Sequence, residues 1–294
     1  MELRLLNYFL MTAREENITR AAKILHVTQP TLSRQLMQLE EELGTKLFER
    51  GKYHITLTAD GMLLKRRAQD ILTLTDKTVK ELTCKSTDIS GEIGISSSGI
   101  ISMRFLSELL VQFQQQYPAV HYEIYSGNAD TTKIHMENGL VDIGLLLEPV
   151  DIMQYEFIRM PEQERWGALG CKDSVLVSKT ELRPGDLLGF PLMLPKRAAI
   201  RNEIMNWFGE MASQMNVVVN YHLMYNTAML VKEGMGIALC PESENLYKDL
   251  CFVPFKPDLK LTSVLAWKKH QVFSPATMAF IEYIKQYVQQ REIQ

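Results

Sequence analysis

The stretch Thr19-Arg20-Ala21-Ala22-Lys23-Ile24-Leu25-His26-Val27-Thr28-Gln29-Pro30-Thr31-Leu32-Ser33-Arg34-Gln35-Leu36-Met37-Gln38-Leu39 decides the fold of the N-terminal part of the chain. Thr19 precedes a short helix whose paired alanines, Ala21 and Ala22, allow a second helix to approach closely. After the turn His26-Val27, Thr28 is placed to cap another helix, because its side-chain oxygen can accept from a free N–H of the first turn. Pro30 fits that turn, where the missing N–H has no intrahelical partner anyway. Two short helices around a tight turn, the second one capped, make a helix-turn-helix.

On the capped helix, Leu32, Leu36, Leu39 and Leu43 form a stripe expected to be buried, with Gln29, Ser33, Arg34, Met37 and Gln38 on other faces. No acidic residue occurs from Thr28 to Leu39, and Glu40-Glu41-Glu42 comes only at the far end. That ordering suits a helix whose N-terminal half meets phosphates and base edges, which carboxylates would repel. A solvated helix that happens to lack acids is the alternative.

Upstream, Leu3, Leu6, Phe9 and Leu10 recur at helical spacing, and a first helix ends in the polar run Arg14-Glu15-Glu16-Asn17. Downstream, Lys46 to Thr58 reads as two short strands around Gly51, a wing. From Thr58 to about Thr83 there is no proline and only Gly61, so one long helix is expected. Leu64, Ile71 and Thr78 occupy one heptad position and Ala68, Thr75 and Leu82 the other, a thin coiled-coil seam. This predicts dimerisation through Leu64, Ala68, Ile71 and Leu82; packing against the helix's own domain is the alternative. A dimer would set two recognition helices on one face of a pseudo-palindromic site.

The remaining two hundred residues alternate strands and helices. Gly91 to Ile95, Val120 to Tyr125 and Val141 to Leu147 read as strands, with helices leading to Pro118 and from Asp130 to Asn138 between them, a βαβαβ unit. A second unit begins near Arg165, with strands Pro191 to Leu194, Val217 to Met224 and Gly236 to Cys240 and helices Ala198 to Met215 and Thr227 to Glu233. The two halves rhyme at Asn138-Gly139-Leu140 and Glu233-Gly234-Met235, each a helix end, a glycine and a following strand. The chain would return to the first unit through Leu261 to Trp267 and a helix from Pro275 to Gln290, crossing a hinge near Pro161 and near Val264. In open α/β sheets ligands gather beyond the carboxyl ends of the strands. That rule singles out Ser96-Ser97-Ser98-Gly99 and Ser126-Gly127-Asn128 in the first unit, and Pro195-Lys196-Arg197 and Asn226-Thr227 in the second. The serines can equally be helix caps, and Lys196 and Arg197 a solvated loop.

Composition agrees with an ordinary folded protein. At 294 residues the chain exceeds one ordinary core, and 46% hydrophobic with 23% charged residues is the balance of a globular protein. Residues 1–67 hold 11 Lys and Arg against 8 Asp and Glu, and the rest holds 21 against 27, the split expected if one end meets phosphate. No apolar run approaches the roughly 18 residues of a membrane span, and the start lacks a basic segment followed by an apolar core, so a cytoplasmic protein is expected. Cys84, Cys171, Cys240 and Cys251 are scattered, without metal-ligand spacing, so neither a metal nor a cofactor is expected. They read as reduced thiols, with Cys240 and Cys251 open as a peroxide-sensing pair.

Five blocks in order, Thr19-Arg20-Ala21-Ala22, Val27-Thr28-Gln29-Pro30-Thr31-Leu32-Ser33, Leu39-Glu40-Glu41-Glu42-Leu43-Gly44, Leu47-Phe48-Glu49-Arg50 and Leu57-Thr58-Ala59-Asp60-Gly61, resemble the winged helix of LysR-type transcriptional regulators. The resemblance implies base contacts by Gln29, Pro30 and Ser33, phosphate contacts by Thr28, Thr31 and Arg34, and a wing along the minor groove. The family usually carries a second basic residue three positions after Arg50; this chain has Tyr53, with Lys52 or His54 available instead. The expected architecture is therefore multi-domain α/β: a winged helix-turn-helix over 1–58, a linker and dimerisation helix over 59–87, and a periplasmic-binding-protein-like sensor over 88–294. In the sensor, 88–161 with 265–294 would form one subdomain and 162–264 the other. Double-stranded DNA, a small and possibly anionic effector, and further copies of the chain in dimers and tetramers are the implied partners, with RNA polymerase a further candidate.

Three rival classes are weighed. An α/β enzyme would need a catalytic signature, and no GxSxG, P-loop or GxGxxG is present. A free solute-binding protein would need an export signal and would have no use for the helix-turn-helix. A LysR-type thiol sensor would differ by its cysteine chemistry.

Overall fold

The computed structural model describes residues 1–50, 55–83, 89–97, 102–242 and 249–292. The chain divides into two compact units, Met1–Lys85 and Ser86–Gln294.

The N-terminal unit opens with α1 (Leu3–Glu15), α2 (Ile18–Ile24) and α3 (Gln29–Leu43). α2 starts at Ile18, so Thr19 lies inside it, and Asn17 is its cap, the Oδ1 accepting the Arg20 N–H at 2.9 Å. Thr28 caps α3 as expected, accepting from Thr31 N–H, and Pro30 lies in the first turn. The buried stripe of α3 is Leu32, Leu36 and Leu39, but Leu43 is exposed and Glu40 is buried in its stead. Strands β1 (Phe48–Arg50) and β2 (Ile55–Leu57) pair antiparallel, Phe48 opposite Leu57 and Arg50 opposite Ile55. The 25-residue α4 (Ala59–Thr83) follows. Gly61 is required at its start, because a Cβ there would lie 2.1 Å from the Leu47 carbonyl oxygen.

Here the seam expectation is corrected. Ala68 is fully buried in the core formed by Leu5, Leu6, Phe9, Leu32, Leu36 and Leu39, and Leu64 and Ile71 pack partly buried against the same core. These three serve intradomain packing. Only Leu82 of the predicted four stands exposed, and Met62, Leu63, Leu74 and Val79 of α4 are exposed with it.

The C-terminal unit contains β3 (Gly91–Ser97), α5 (Ser102–Gln116), β4 (Val120–Ser126), α6 (Ala129–Glu137), β5 (Ile143–Leu147) and the 17-residue β6 (Tyr155–Cys171). There follow the single turn α7 (Pro184–Leu187), β7 (Pro191–Pro195), α8 (Ala198–Phe208), β8 (Asn216–Tyr221), α9 (Met224–Lys232), β9 (Ile237–Pro241), β10 (Leu250–Pro254), β11 (Lys260–Lys268) and α10 (Pro275–Glu292). Among the described residues the strand order is β4-β3-β5-β11-β6-β9-β7-β8, with β10 also on β6. Strands β3, β4 and β5 run parallel, as do β7, β8 and β9, so each half is a parallel lobe. The rhyming glycines Gly139 and Gly234 both follow helices at positive φ, 71° and 80°, which glycine adopts without a Cβ penalty.

Two long strands join the lobes. β6 pairs with β11 up to Arg165 and with β9 from Trp166 onward. β11 pairs with β6 from Lys260 and reaches β5 at Ser263, with a bulge between Thr262 and Val264. β11 thus meets β5 from Ser263 onward, and β6 exchanges β11 for β9 between Arg165 and Trp166. α8 is shorter than the expected Ala198 to Met215: Gly209 ends it at φ 58°, and a 3-10 helix continues from Gly209 to Gln214.

Candidate functional site

On α3 the residues picked from sequence occupy the face opposite the core. Thr28, Gln29, Pro30, Thr31 and Arg34 are exposed and Ser33 is half-buried, while Leu32 and Leu36 hold the helix to α1 and α2. The Thr28 hydroxyl lies 2.8 Å from that of Thr31, so the two form one polar cluster at the helix start. The first turn contains no acid, and the positive end of the helix dipole lies there, an arrangement that favours phosphate. Lys52 and Tyr53 lie outside the described residues, and of Arg50 the structure gives its place in β1 opposite Ile55.

Glu40 is a residue that periodicity missed. Its Oε1 accepts the backbone N–H of Leu47 at 2.8 Å and of Phe48 at 3.3 Å, and its Oε2 meets Lys46 Nζ at 2.9 Å. Burial acts to raise its pKa, but the bonds from Lys46, Leu47 and Phe48 outweigh this and hold it below the usual glutamate value. The carboxylate ties the first strand of the wing to the recognition helix. An acid in phase with the leucine stripe, immediately before the wing, was the available signal.

In the C-terminal unit the expected ligand residues are mostly consumed by the fold. Ser96 and Ser97 end β3 rather than standing in a loop, and both are buried. The Ser96 hydroxyl lies 2.7 Å from that of Thr132 beneath α6. Ser98 and Gly99 lie outside the described residues. Asn128 is the N-cap of α6, accepting from the Thr131 N–H at 2.9 Å and the Thr131 hydroxyl at 2.8 Å. Thr227 is not at a helix start but inside α9, buried, with its hydroxyl donating to the Leu223 carbonyl at 3.0 Å. Asn226 and Lys196 are exposed. Arg197 donates from Nη1 to the Leu147 carbonyl at 2.7 Å and from Nη2 to the Pro149 carbonyl at 2.5 Å, and its Nε lies 3.5 Å from Asp130 Oδ1. The structure therefore brings Arg197 to the α6 end of the first lobe, and keeps Ser96 and Thr227 out of ligand reach by burial and prior bonding.

A further polar cluster sits where the crossing strands pass α5. Glu164, fully buried on β6, accepts from Ser102 through its backbone N–H at 3.0 Å and its hydroxyl at 2.7 Å. Ser263, the bulge residue of β11, brings its hydroxyl to 2.5 Å from that of Ser102. Because the Ser102 hydroxyl proton is committed to Glu164, Ser263 is the donor in that pair. One carboxylate thus links both crossing strands to the helix that follows the serine segment. A cavity of about 240 Å³ beside α10, lined by Trp267, Lys268, His270 and Phe273 among others, involves none of the predicted effector residues.

The described cysteines do not form a pair. Cys240 on β9 faces Gly167 and Cys251 on β10 faces Gly170, on opposite edges of β6. Burial pushes the Cys240 thiol up to about 12, and Cys171 Sγ donates to the Val231 carbonyl at 2.9 Å. Among the described residues no group of three or more His, Cys, Asp and Glu is placed to hold a metal ion, and no helix is long and apolar enough to cross a membrane.

A winged helix with an uncharged-to-basic recognition face, joined to a pair of parallel lobes, defines a DNA-binding transcriptional regulator with an effector-binding domain. Residues 3–62 match the bacterial regulatory helix-turn-helix protein, lysR family, and residues 86–289 match the LysR substrate binding domain. The chain belongs to the LysR family of transcriptional regulators. It is 29% identical over 245 residues to the HTH-type transcriptional regulator BsdA of Bacillus subtilis strain 168, covering 82% of this chain and 84% of that protein. It is 28% identical over 296 residues to the hca operon transcriptional activator HcaR of Escherichia coli strain K12, covering 97% and 98%. In fold it matches full-length CbnR, crystallised with its target DNA, with a TM-score of 0.74 at 22% identity over 97% of this chain and 99% of that one.

Proposed function

We propose that α3 enters the major groove of an operator, with Gln29, Pro30 and Ser33 at base edges and Thr28, Thr31 and Arg34 on phosphates, while the wing with Arg50, Lys52 and Tyr53 follows the minor groove. The observation that carries this reading is the exposed, acid-free first half of α3, held by Leu32, Leu36 and Leu39 from behind. The protein works in the cytoplasm as a homodimer or a tetramer of two dimers, its output is transcription through RNA polymerase, and it catalyses no reaction. The exposed apolar residues of α4, Leu82 with Met62, Leu63, Leu74 and Val79, support self-association better than the original seam. A small-molecule effector acts between the two sensor lobes, near Asn128, Ser97 to Gly99, Lys196 and Asn226.

The test is a footprint on the DNA upstream of the protein's own gene, followed by titrations of that operator and of unrelated DNA. Gln29→Ala should cost about 1–3 kcal/mol on the operator and little on unrelated DNA. Arg34→Ala should weaken both alike and lower the salt slope by about one unit. Equal losses for Gln29→Ala on both DNAs would remove its base-reading role, and an unchanged slope would remove the phosphate role of Arg34.

A further inference from the structure

We propose that Arg197 is an interlobe clasp, which holds the sensor lobes together before any effector arrives, so that an effector acts on a closed cleft instead of closing an open one. This rests on the reading of the C-terminal unit as a two-lobed sensor and assigns Arg197 a role other than ligand contact.

The backbone of Arg197 belongs firmly to the second lobe. It stands between β7 and α8 as the N-cap residue of α8, the preceding Lys196 N–H donates to the Tyr221 carbonyl of β8 at 2.7 Å, and the Arg197 carbonyl accepts from Arg201 in the first turn of α8. Its guanidinium belongs equally firmly to the first lobe. Leu147 is the last residue of β5, and Pro149 follows two positions on, so the two Nη groups grip the carbonyls on either side of Glu148. Asp130, on the third side, is in the first turn of α6. The turn that presents these carbonyls is itself braced: the Glu148 N–H donates to the Thr262 carbonyl at 2.9 Å, and the Glu148 side chain pairs with Arg159 at 3.2 Å and accepts from the Thr262 hydroxyl.

The chemistry suits a clasp better than a free ligand-binding cation. A solvated loop arginine would be largely exposed, yet only 9% of this side chain is, whereas neighbouring Lys196 is exposed. A planar fork with parallel N–H donors matches two fixed carbonyls, which a lysine ammonium does not. Two of the three partners are uncharged, and the Asp130 side chain is two-thirds exposed. The desolvated charge is thus only partly compensated, and burial accordingly works to lower the Arg197 pKa against the pull of Asp130. A contact of that kind is strong enough to bias an equilibrium and weak enough to be released, which a two-state element requires. If Arg197 is released, water can solvate the carbonyls of Leu147 and Pro149, so the open state carries no stranded buried group on the first lobe.

The distance measurement that tests the clasp needs neither effector nor DNA. Spin labels on the exposed sites of His121→Cys in the first lobe and Asn202→Cys in the second, in full-length protein with Cys84, Cys171 and Cys251 replaced by serine, report the interlobe distance by pulsed electron resonance. With labelled chains diluted into an excess of unlabelled protein, so that only the pair within one protomer is read, the parent should give one narrow distance distribution, and Arg197→Ala a broader one displaced to longer distances by several ångströms. Arg197→Lys should fall between, and Asp130→Asn should resemble the parent more than Arg197→Ala does. Should Arg197→Ala fail to fold, as judged by circular dichroism, Arg197→Lys decides by the same readout. Superimposable distributions for parent and the Arg197 variants would overturn the clasp. A displaced distribution in Arg197→Ala, with no metabolite altering operator binding in the parent, would uphold the clasp and reject the effector reading instead.

Discussion

On α3 of the N-terminal unit, Gln29, Pro30, Thr31 and Arg34 stand exposed and largely unengaged with the rest of the protein, whereas in the sensor Ser96, Ser97, Thr227 and Arg197 are buried or nearly so, with Ser96, Thr227 and Arg197 bonded to the protein itself. The contrast follows from what each region meets. A duplex is a large polyanion with fixed repeats, so its reader needs only to present polar groups from a rigid helix. A two-lobed sensor must hold a defined geometry across strands far apart in sequence, and its polar groups first satisfy one another. The polar residues on the outer face of α3 are thus free for a partner, whereas Ser96, Thr227 and Arg197 are already engaged within the second unit.

The largest expected effect tests the buried network of the sensor. Glu164→Ala removes the acceptor of both Ser102 donors and should destabilise the sensor by about 3–5 kcal/mol, since hydrogen bonds to a charged group contribute about 1.5–3 kcal/mol each. Urea unfolding followed by tryptophan fluorescence, which includes Trp166 and Trp267 of the sensor, measures it. A loss under about 1 kcal/mol would mean that the network is ornamental to stability and that the contrast between the units is overdrawn.

How far this was legible from sequence differs between the same two regions. The helices α1 to α3, the cap at Thr28 and the wing strands follow from local spacing, because each is set by residues within a few positions. Leu43 was wrongly placed in the buried stripe because Glu40, whose carboxylate finds three donors in the wing, takes the inward position. Ala68 was read as a dimer seam because a heptad and a core-facing stripe use the same small apolar residues, and only the approach of α1 distinguishes them. In the sensor the βαβ rhythm was legible, but β10 and the full length of β6 were not. Glu162-Gln163-Glu164-Arg165 looks like a solvated run, and the alternation that buries Glu164 in phase with Trp166 and Ala168 appears only once β6 is known to continue across both lobes.

A middle-sized effect sharpens the comparison from the other side, because among the described residues the N-terminal unit has a buried carboxylate, Glu40. Glu40 binds its proton less tightly in the folded state than in the unfolded chain. Its contribution is therefore complete above the ordinary glutamate pKa of about 4.3 and is lost as pH falls through the lower folded value. Glu40→Gln should cost about 1–2 kcal/mol at pH 7, where a neutral amide replaces a charge-assisted acceptor. Below pH 4 the gap between parent and variant should narrow. Thermal unfolding of both proteins between pH 3 and pH 7 reads this directly, and a gap independent of pH would show that Glu40 acts by packing alone.

The smallest effect is expected at the cysteines, where the thiol-sensing alternative stands or falls. A thiol raised to about 12 by burial is ionised to roughly one part in 10⁵ at pH 7, and only the thiolate reacts readily with peroxide. Geometry points the same way. The same β6 residues, Gly167 to Leu169, pair with β9 on one edge and β10 on the other, so Cys240 and Cys251 are separated by two interstrand spacings, about 9.5 Å, before their offset along the strands is counted. A disulfide requires Cα atoms within about 7 Å, and β6 would have to leave the sheet to permit it. Cys240→Ala should therefore leave both operator affinity and its response to peroxide unchanged, apart from a modest loss of stability from the lost packing. The deciding measurement is peptide mapping of the full-length protein after peroxide treatment without reductant: a Cys240–Cys251 linked peptide would show that the sensor rearranges its central strands, and the picture of a second unit built from mutually satisfied, fixed groups would have to be given up.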